Sequence, residues 1–397
     1  MRRHLGKSTA AAVMGVILST AVAVPARADA VRDQQWHLGF LRMAEANRIA
    51  DGSGMTVAVL DSGVDATHPD LGGAVLAGID SFTSSQDGRT DPDPERHGTG
   101  IAAMAAGRGH GANGADGIRG IAPKANILPA TVWPPGSVGS RPDNIAFAIR
   151  WAVDSGADVI CIAGGGGSDP AQSAAIEYAI GKGVPIVAAI GNIETRDGRD
   201  LSLPVSPGTD EGVFGVGSVG RDGNRSPFSV ATVLIDFVVP GDDVPAPKAD
   251  GGYTTVKGTS VSAAILAGIV ALVRQKRPNL TPPQLYELLK ATATDKGAPG
   301  FDSEYGWGVV DPVKALSAPD PVASTPQAAP PEVRPPAIEE PSFWAGDTVI
   351  ALAVVTVIWG GGLALIVFLV VFLRRRVRRR RREAATRAEP AANRHGG

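Results

Sequence analysis

Four short apolar runs, residues 57–60, 127–132, 159–162 and 186–190, show no sustained alternation of polar and apolar positions. A strand with one face in water would alternate, so these runs predict parallel strands covered on both faces. Residues 144–155 and 171–181 carry helical spacing, with Gly156 and Gly183 just past their ends as stop signals. Residues 265–273 form a further apolar helical run. Strands alternating with helices predict an α/β domain with a mostly parallel sheet. In such sheets reactive groups belong at the carboxyl ends of the strands, where the first run terminates in Asp61.

The two ends follow other patterns. Residues 1–30 open with Arg2, Arg3 and Lys7, continue with an apolar centre over 10–24, and finish with Ala26, Ala28 and Ala30. That is the layout of a signal peptide, cleaved after Ala28 or Ala30. Residues 348–373 contain no charge over 26 positions, enough to cross a hydrocarbon core of roughly 30 Å with some tilt. Eight arginines within 374–382 follow at once, so the positive-inside rule predicts a cytoplasmic tail over 374–397 and an extracytoplasmic body, with Trp344 at the outer interface. Between body and span, residues 317–347 read as a linker. Eight prolines between 317 and 341 give it polyproline character, and it could extend roughly 75 Å. Residues 31–54 are too few to fold alone and are expected to pack on the main domain, residues 55–316.

Charge sharpens this division. The chain of 397 residues has a net charge of −2, yet ten Arg against two Glu leave residues 374–397 at +8, and residues 1–29 stand at +3. The remainder is therefore at about −13, an acidic body that argues against nucleic acid as its partner. With 44% hydrophobic residues it can bury a substantial core. Cys161 is the single cysteine and lies in an apolar run, so no intrachain disulfide forms and a packing role is expected.

Three stretches carry candidate chemistry. Lys257-Gly258-Thr259-Ser260-Val261-Ser262-Ala263-Ala264 places a serine after a Gly-Thr turn and ahead of a helix whose N–H groups can face a developing negative charge. A serine hydroxyl needs a base to take its proton and a carboxylate to orient that base. His97-Gly98-Thr99-Gly100 offers the imidazole with small neighbours, and Asp61 offers the carboxylate. Ser262 is the competing hydroxyl and Asp65 the competing carboxylate, while His37 reads as an interface contact, His68 as structural, and His110 lies in the glycine-rich flexible loop 107–120 with no helix starting beside it. A phosphate-cradling role for Ala163-Gly164-Gly165-Gly166-Gly167 lacks the lysine or the second glycine pattern that it would require.

These stretches, in the chain order Asp, His, Ser, resemble the subtilisin-like serine peptidases, over about residues 35–316. With its two ends the chain resembles the mycosins of type VII secretion. The resemblance implies a three-layer α/β/α domain plus one C-terminal transmembrane helix, and a serine endopeptidase acting through Asp61, His97 and Ser260. It implies Asn192 as oxyanion donor and Ala163, Gly164 and Gly165 as the strand that binds substrate backbone. The family's usual Ser-Leu-Gly-Gly is replaced here, which would leave the primary pocket wider or more mobile, and Ala264 stands where proline is common. It also implies a short N-terminal extension wrapping the domain, while the absence of disulfides departs from many mycosins. No cofactor is expected. Calcium binds in many subtilases, but Asp87, Asp91 and Asp93 lack a fixed ligand spacing, so the Asp- and Pro-rich stretch 84–96 reads as a solvated loop. The implied partners are a polypeptide substrate, the membrane and a type VII secretion membrane complex. Rival readings are a structural subunit of such a complex, with catalysis secondary, and a broad degradative peptidase.

Overall fold

The computed structural model describes residues 30–83, 87–133, 142–196, 199–202, 204–249 and 251–319. The signal segment over 1–29, the linker beyond 319, the span over 348–373 and the basic tail all lie outside the described residues. In chain order the strands are β1 (Thr56–Asp61), β2 (Ile79–Asp80), β3 (Arg108–His110), β4 (Asp116–Arg119), β5 (Asn126–Thr131), β6 (Val159–Ile162), β7 (Ile186–Ala189), β8 (Ile193–Arg196), β9 (Arg199–Ser202), β10 (Phe214–Val219), β11 (Phe237–Pro240), β12 (Val244–Pro247) and β13 (Tyr253–Val256). The helices are α1 (Ala30–Gln34), α2 (Trp36–Phe40), α3 (Met43–Ile49), α4 (His97–Ala106), α5 (Pro142–Asp154), α6 (Pro170–Gly181), α7 (Thr259–Lys276), α8 (Pro282–Thr292) and α9 (Pro312–Ser317).

Seven strands make one sheet in the order β11-β10-β7-β6-β1-β5-β2, and every pairing in it is parallel. All residues of β6, β7, β10 and β11 are buried, the condition that the unalternating apolar runs required. One face of the sheet packs on α4 and α7 around Val59, Ile127 and Phe237, and the other packs on α5 and α6 around Leu60, Ile160 and Ile149. Three layers result. The elements differ from the sequence pattern by one or two residues at their ends, because Pro142 and Pro170 occupy first-turn positions and Asp169 caps α6 by accepting from the Gln172 N–H at 2.8 Å.

Helix α7 runs through the core with Thr259 and every residue from 261 to 273 buried. Among the described residues it alone is long and apolar enough to cross a membrane, but it is spent on the core. Gly268 lets it approach closely, since a Cβ there would stand 2.6 Å from the Ile121 Cβ.

Residues 30–52 lie along this body. Leu41, Met43, Ala46 and Ala50 join the core beside α7, while the Gln35 amide both donates to the Arg119 carbonyl and accepts from its N–H at 2.9 Å. The Trp36 indole N–H reaches the Asp243 carbonyl at 2.9 Å, and Arg42 forks onto Asp311 at 2.6 and 2.8 Å. This short segment has its apolar side supplied by the domain, which is why it needs no core of its own.

The glycine-rich stretch after α4 reads as a flexible loop in the sequence, and the structure corrects that. It folds as the β3–β4 hairpin, held by Asp70, whose buried carboxylate accepts from His110 Nδ1 at 2.7 Å, the Ile118 N–H at 2.8 Å and the Tyr253 hydroxyl at 2.9 Å. Gly117, at φ +71°, is one place where no side chain fits, because a Cβ would collide with Asp70.

His37 is fully buried, and among the described residues neither ring nitrogen has a hydrogen-bond partner. Burial first, and then the Arg221 charge, push its pKa from 6.5 down to about 3. The unfolded chain therefore takes up this proton before the folded one does. Stability should drop as pH falls from about 6.5 towards 3, by up to about 1.4 kcal/mol per pH unit from this group. We expect the urea midpoint of His37→Leu to fall less steeply than wild type over that range.

Candidate active site

Asp61 ends the central strand and is fully buried, so its charge has to be met by donors. The Ser62 N–H supplies one at 2.7 Å, and His97 Nδ1 lies 2.8 and 3.0 Å from the two carboxylate oxygens. Turning the chain so sharply requires Gly63, at φ +107°, where a Cβ would collide with the Thr90 carbonyl.

His97 opens α4, and the first N–H groups of that helix are all claimed. Asp93 Oδ2 accepts from the His97 N–H at 3.0 Å, Ser62 Oγ accepts from Gly98 at 3.0 Å, and Asp91 Oδ2 accepts from Thr99 at 2.9 Å. These are the orphan donors of a helix start, and negative charge there suits the helix dipole. The expectation of a solvated loop fails at Asp91, which is buried. Its Oδ2 also accepts from Thr99 Oγ1 at 2.6 Å, and its Oδ1 accepts from Ser62 Oγ at 2.9 Å and from the Asp93 N–H at 3.1 Å. Burial pushes the Asp91 pKa up and the Asp61 charge adds to this, against the bonds from Thr99 and Ser62. Both oxygens are engaged by hydrogen donors. Among the described residues no three acidic, histidine or cysteine side chains converge in a metal-binding group.

Burial works against a charge on His97. The Asp61 charge and hydrogen bond, with Asp93 and Asp91 beyond, outweigh burial and hold the His97 pKa above 6.5.

Ser260 is the second residue of α7, and it lines one cleft of about 510 Å³ together with His97. Gly100, Ile101, Met104, Ala246 and Val261 form the apolar floor of that cleft. Across from Ser260, the Asn192 amide is oriented by Thr259, whose N–H and hydroxyl donate to Asn192 Oδ1 at 3.0 and 3.1 Å. A Cβ placed on Gly258 would stand 2.9 Å from Ser260 Oγ and 3.6 Å from Asn192 Nδ2, so glycine keeps the space between them open.

Ala163 lies buried just past β6, and Gly164 and Gly165 follow it, with Gly166 bridged to Ser206. The space beside Gly164 is filled. The indole of Trp133, fully buried, occupies the place where a side chain would project, and its ring centroid stands 5.4 Å from that of His97. Trp133 carries no signal in the sequence, lying two residues past β5 with its contacts on other segments.

The competing residues are engaged elsewhere. Ser262 Oγ is buried and donates towards the Val239 and Pro240 carbonyls, and Asp65 closes a turn by accepting from Thr67. His68 Nδ1 accepts from the Asp70 N–H, and Cys161 is buried with its thiol pKa pushed well up by burial.

The chain belongs to the Subtilase family, whose model matches residues 52–308, and it is a serine endopeptidase of the subtilisin type. Fervidolysin of Fervidobacterium pennivorans is 35% identical over 68% of this chain, which spans 42% of that protein. Mycosin-1 of Mycolicibacterium smegmatis is 32% identical over 72% of this chain and 73% of its own length. The solved structure of the serine protease MycP1, an essential component of the type VII (ESX-1) secretion system, matches with a TM-score of 0.62 and 31% identity, covering 73% of this chain and 90% of that one.

Because Asp61 and its acidic neighbours favour the imidazolium, NMR titration of the His97 ring should give a midpoint above 6.5. Asp61→Asn removes the nearest of these charges and should bring the midpoint down.

Proposed function

We propose that this chain is a membrane-anchored serine endopeptidase working outside the cytoplasm, associated with type VII secretion and the processing of its substrates. The observation that carries the reading is the Asp61–His97 hydrogen bond of 2.8 Å on the wall of a cleft shared with Ser260. His97 Nε2 takes the proton of Ser260 as its oxygen bonds to the scissile carbonyl carbon. The resulting imidazolium is oriented and stabilised by Asp61. Asn192 Nδ2 and the Ser260 backbone N–H donate to the oxyanion. His97 then returns its proton to the leaving amine as the C–N bond breaks, leaving an acyl-enzyme that water hydrolyses by the same steps. The acyl half of the peptide lies along Ala163, Gly164 and Gly165 by strand addition. The uncharged stretch 348–373 and the arginines after it support the anchor and its direction.

A second reading has one observation in its favour, that MycP1 is an essential component of its secretion system. On that reading the domain also stabilises a membrane complex. It predicts that Ser260→Ala cells still secrete while cells lacking the chain do not.

A fluorophosphonate probe should label the wild-type chain and leave Ser260→Ala unlabelled, and equal labelling of both would defeat the mechanism. Asn192→Ala should retain labelling yet lose about 10²–10³-fold in peptide turnover, the usual cost of removing one oxyanion donor.

A further inference from the structure

Trp133 stands apart from the residues that the mechanism uses, yet it touches the site from below. Its indole is 1% exposed and packs with its ring centroid 5.4 Å from that of His97, the planes inclined at 50°. Its six-membered ring lies against Gly164, where any side chain would collide with it. Among the described residues the indole N–H finds no partner, a cost that a plain hydrocarbon filler of the same space would avoid. Bulk alone does not account for a tryptophan here.

We propose that Trp133 is a positioning residue of this site, its indole fixing the His97 ring and offering its π system to the imidazolium that forms when Ser260 gives up its proton. This rests on the catalytic reading given above. A cation within about 6 Å of an indole centroid is attracted by the ring quadrupole, most strongly where water is excluded. Neutral imidazole gains little from the same contact, so the interaction favours the charged form that the reaction must pass through. Gly164 belongs to the same device, because the indole reaches His97 only where residue 164 has no side chain.

The other charged groups around His97 are Asp61 at the end of β1, Asp91 and Asp93 in the stretch before α4, Glu95 and Arg96 beside it, and Lys248 and Lys257 on the wall of the same cleft. None of them is altered in the variants that follow, so their influence cancels in the comparison. In Trp133→Leu the apolar bulk is largely kept and the quadrupole is lost. In the full-length protein, the acid limb of Ser260 phosphonylation by the fluorophosphonate should then move down by roughly 0.5–1 pH unit. NMR titration of the His97 ring should move down with it. A purely structural tryptophan would lower the amount of active protein and leave both midpoints in place.

Tryptophan emission gives a readout that needs no catalysis. Wild type should lose emission as His97 protonates, and that change should vanish in His97→Ala and in Trp133→Leu. Gly164→Ala, which retains the indole but displaces it, should lower the His97 midpoint and serves where Trp133→Leu does not fold. Absence of Ser260 labelling in wild type would count against the catalytic reading alone, since the His97 titration still reports on the indole. A His97 midpoint unmoved or raised in these variants overturns the proposal.

Discussion

The constraint on which the rest depends is a carboxylate, Asp61, held out of water at the end of the central strand. A buried charge is tolerated only where donors surround it. Its donors come from two places, the Ser62 N–H beside it and the His97 ring, 36 positions on. Meeting them forces the chain to turn at Gly63 and forces α4 to begin against that turn at Gly98, where a side chain would collide with the Gly63 carbonyl. A second buried carboxylate, Asp91, then becomes necessary, because the start of α4 and the Ser62 hydroxyl both need acceptors there. The polar half of the site is thus one hydrogen-bonded unit in which each group fixes the next.

Ser260 is held by a different force. Its helix is buried without a break from Val261 to Val273, so the serine is placed by apolar packing along α7 and by Gly258 before it. In the first turn of that helix Thr259 holds the Asn192 amide, donating to its Oδ1 from both N–H and hydroxyl. The hydroxyl and the imidazole are thereby brought to one cleft by independent means, which allows the histidine environment to change without unseating the helix.

The parts of this structure legible in the sequence are those in which a local pattern matches a local cause. Strands covered on both faces leave unbroken apolar runs, and Asp61, His97 and Ser260 each sit in a stretch with its own small-residue signature. Asp91 was not legible. Its stretch is acidic and rich in proline, which reads as solvent-facing, and its burial is set by Ser62 and Thr99 from two other segments. The β3–β4 hairpin was hidden for a similar reason, since its glycines resemble a flexible loop until Asp70 is seen to gather it. Trp133 offered no pattern at all, because what gives it meaning is a glycine 31 positions later.

That pair also explains why a departure from the family's usual residues need not enlarge a pocket. A glycine at position 164 leaves a volume just past the end of β6, and in isolation that volume would be a cavity costing stability. Here the indole of Trp133 fills it from the opposite side, and in doing so reaches the imidazole. The two positions are coupled by volume, so neither can be judged alone, and the same exchange that keeps the packing intact brings an aromatic ring against the imidazole of His97.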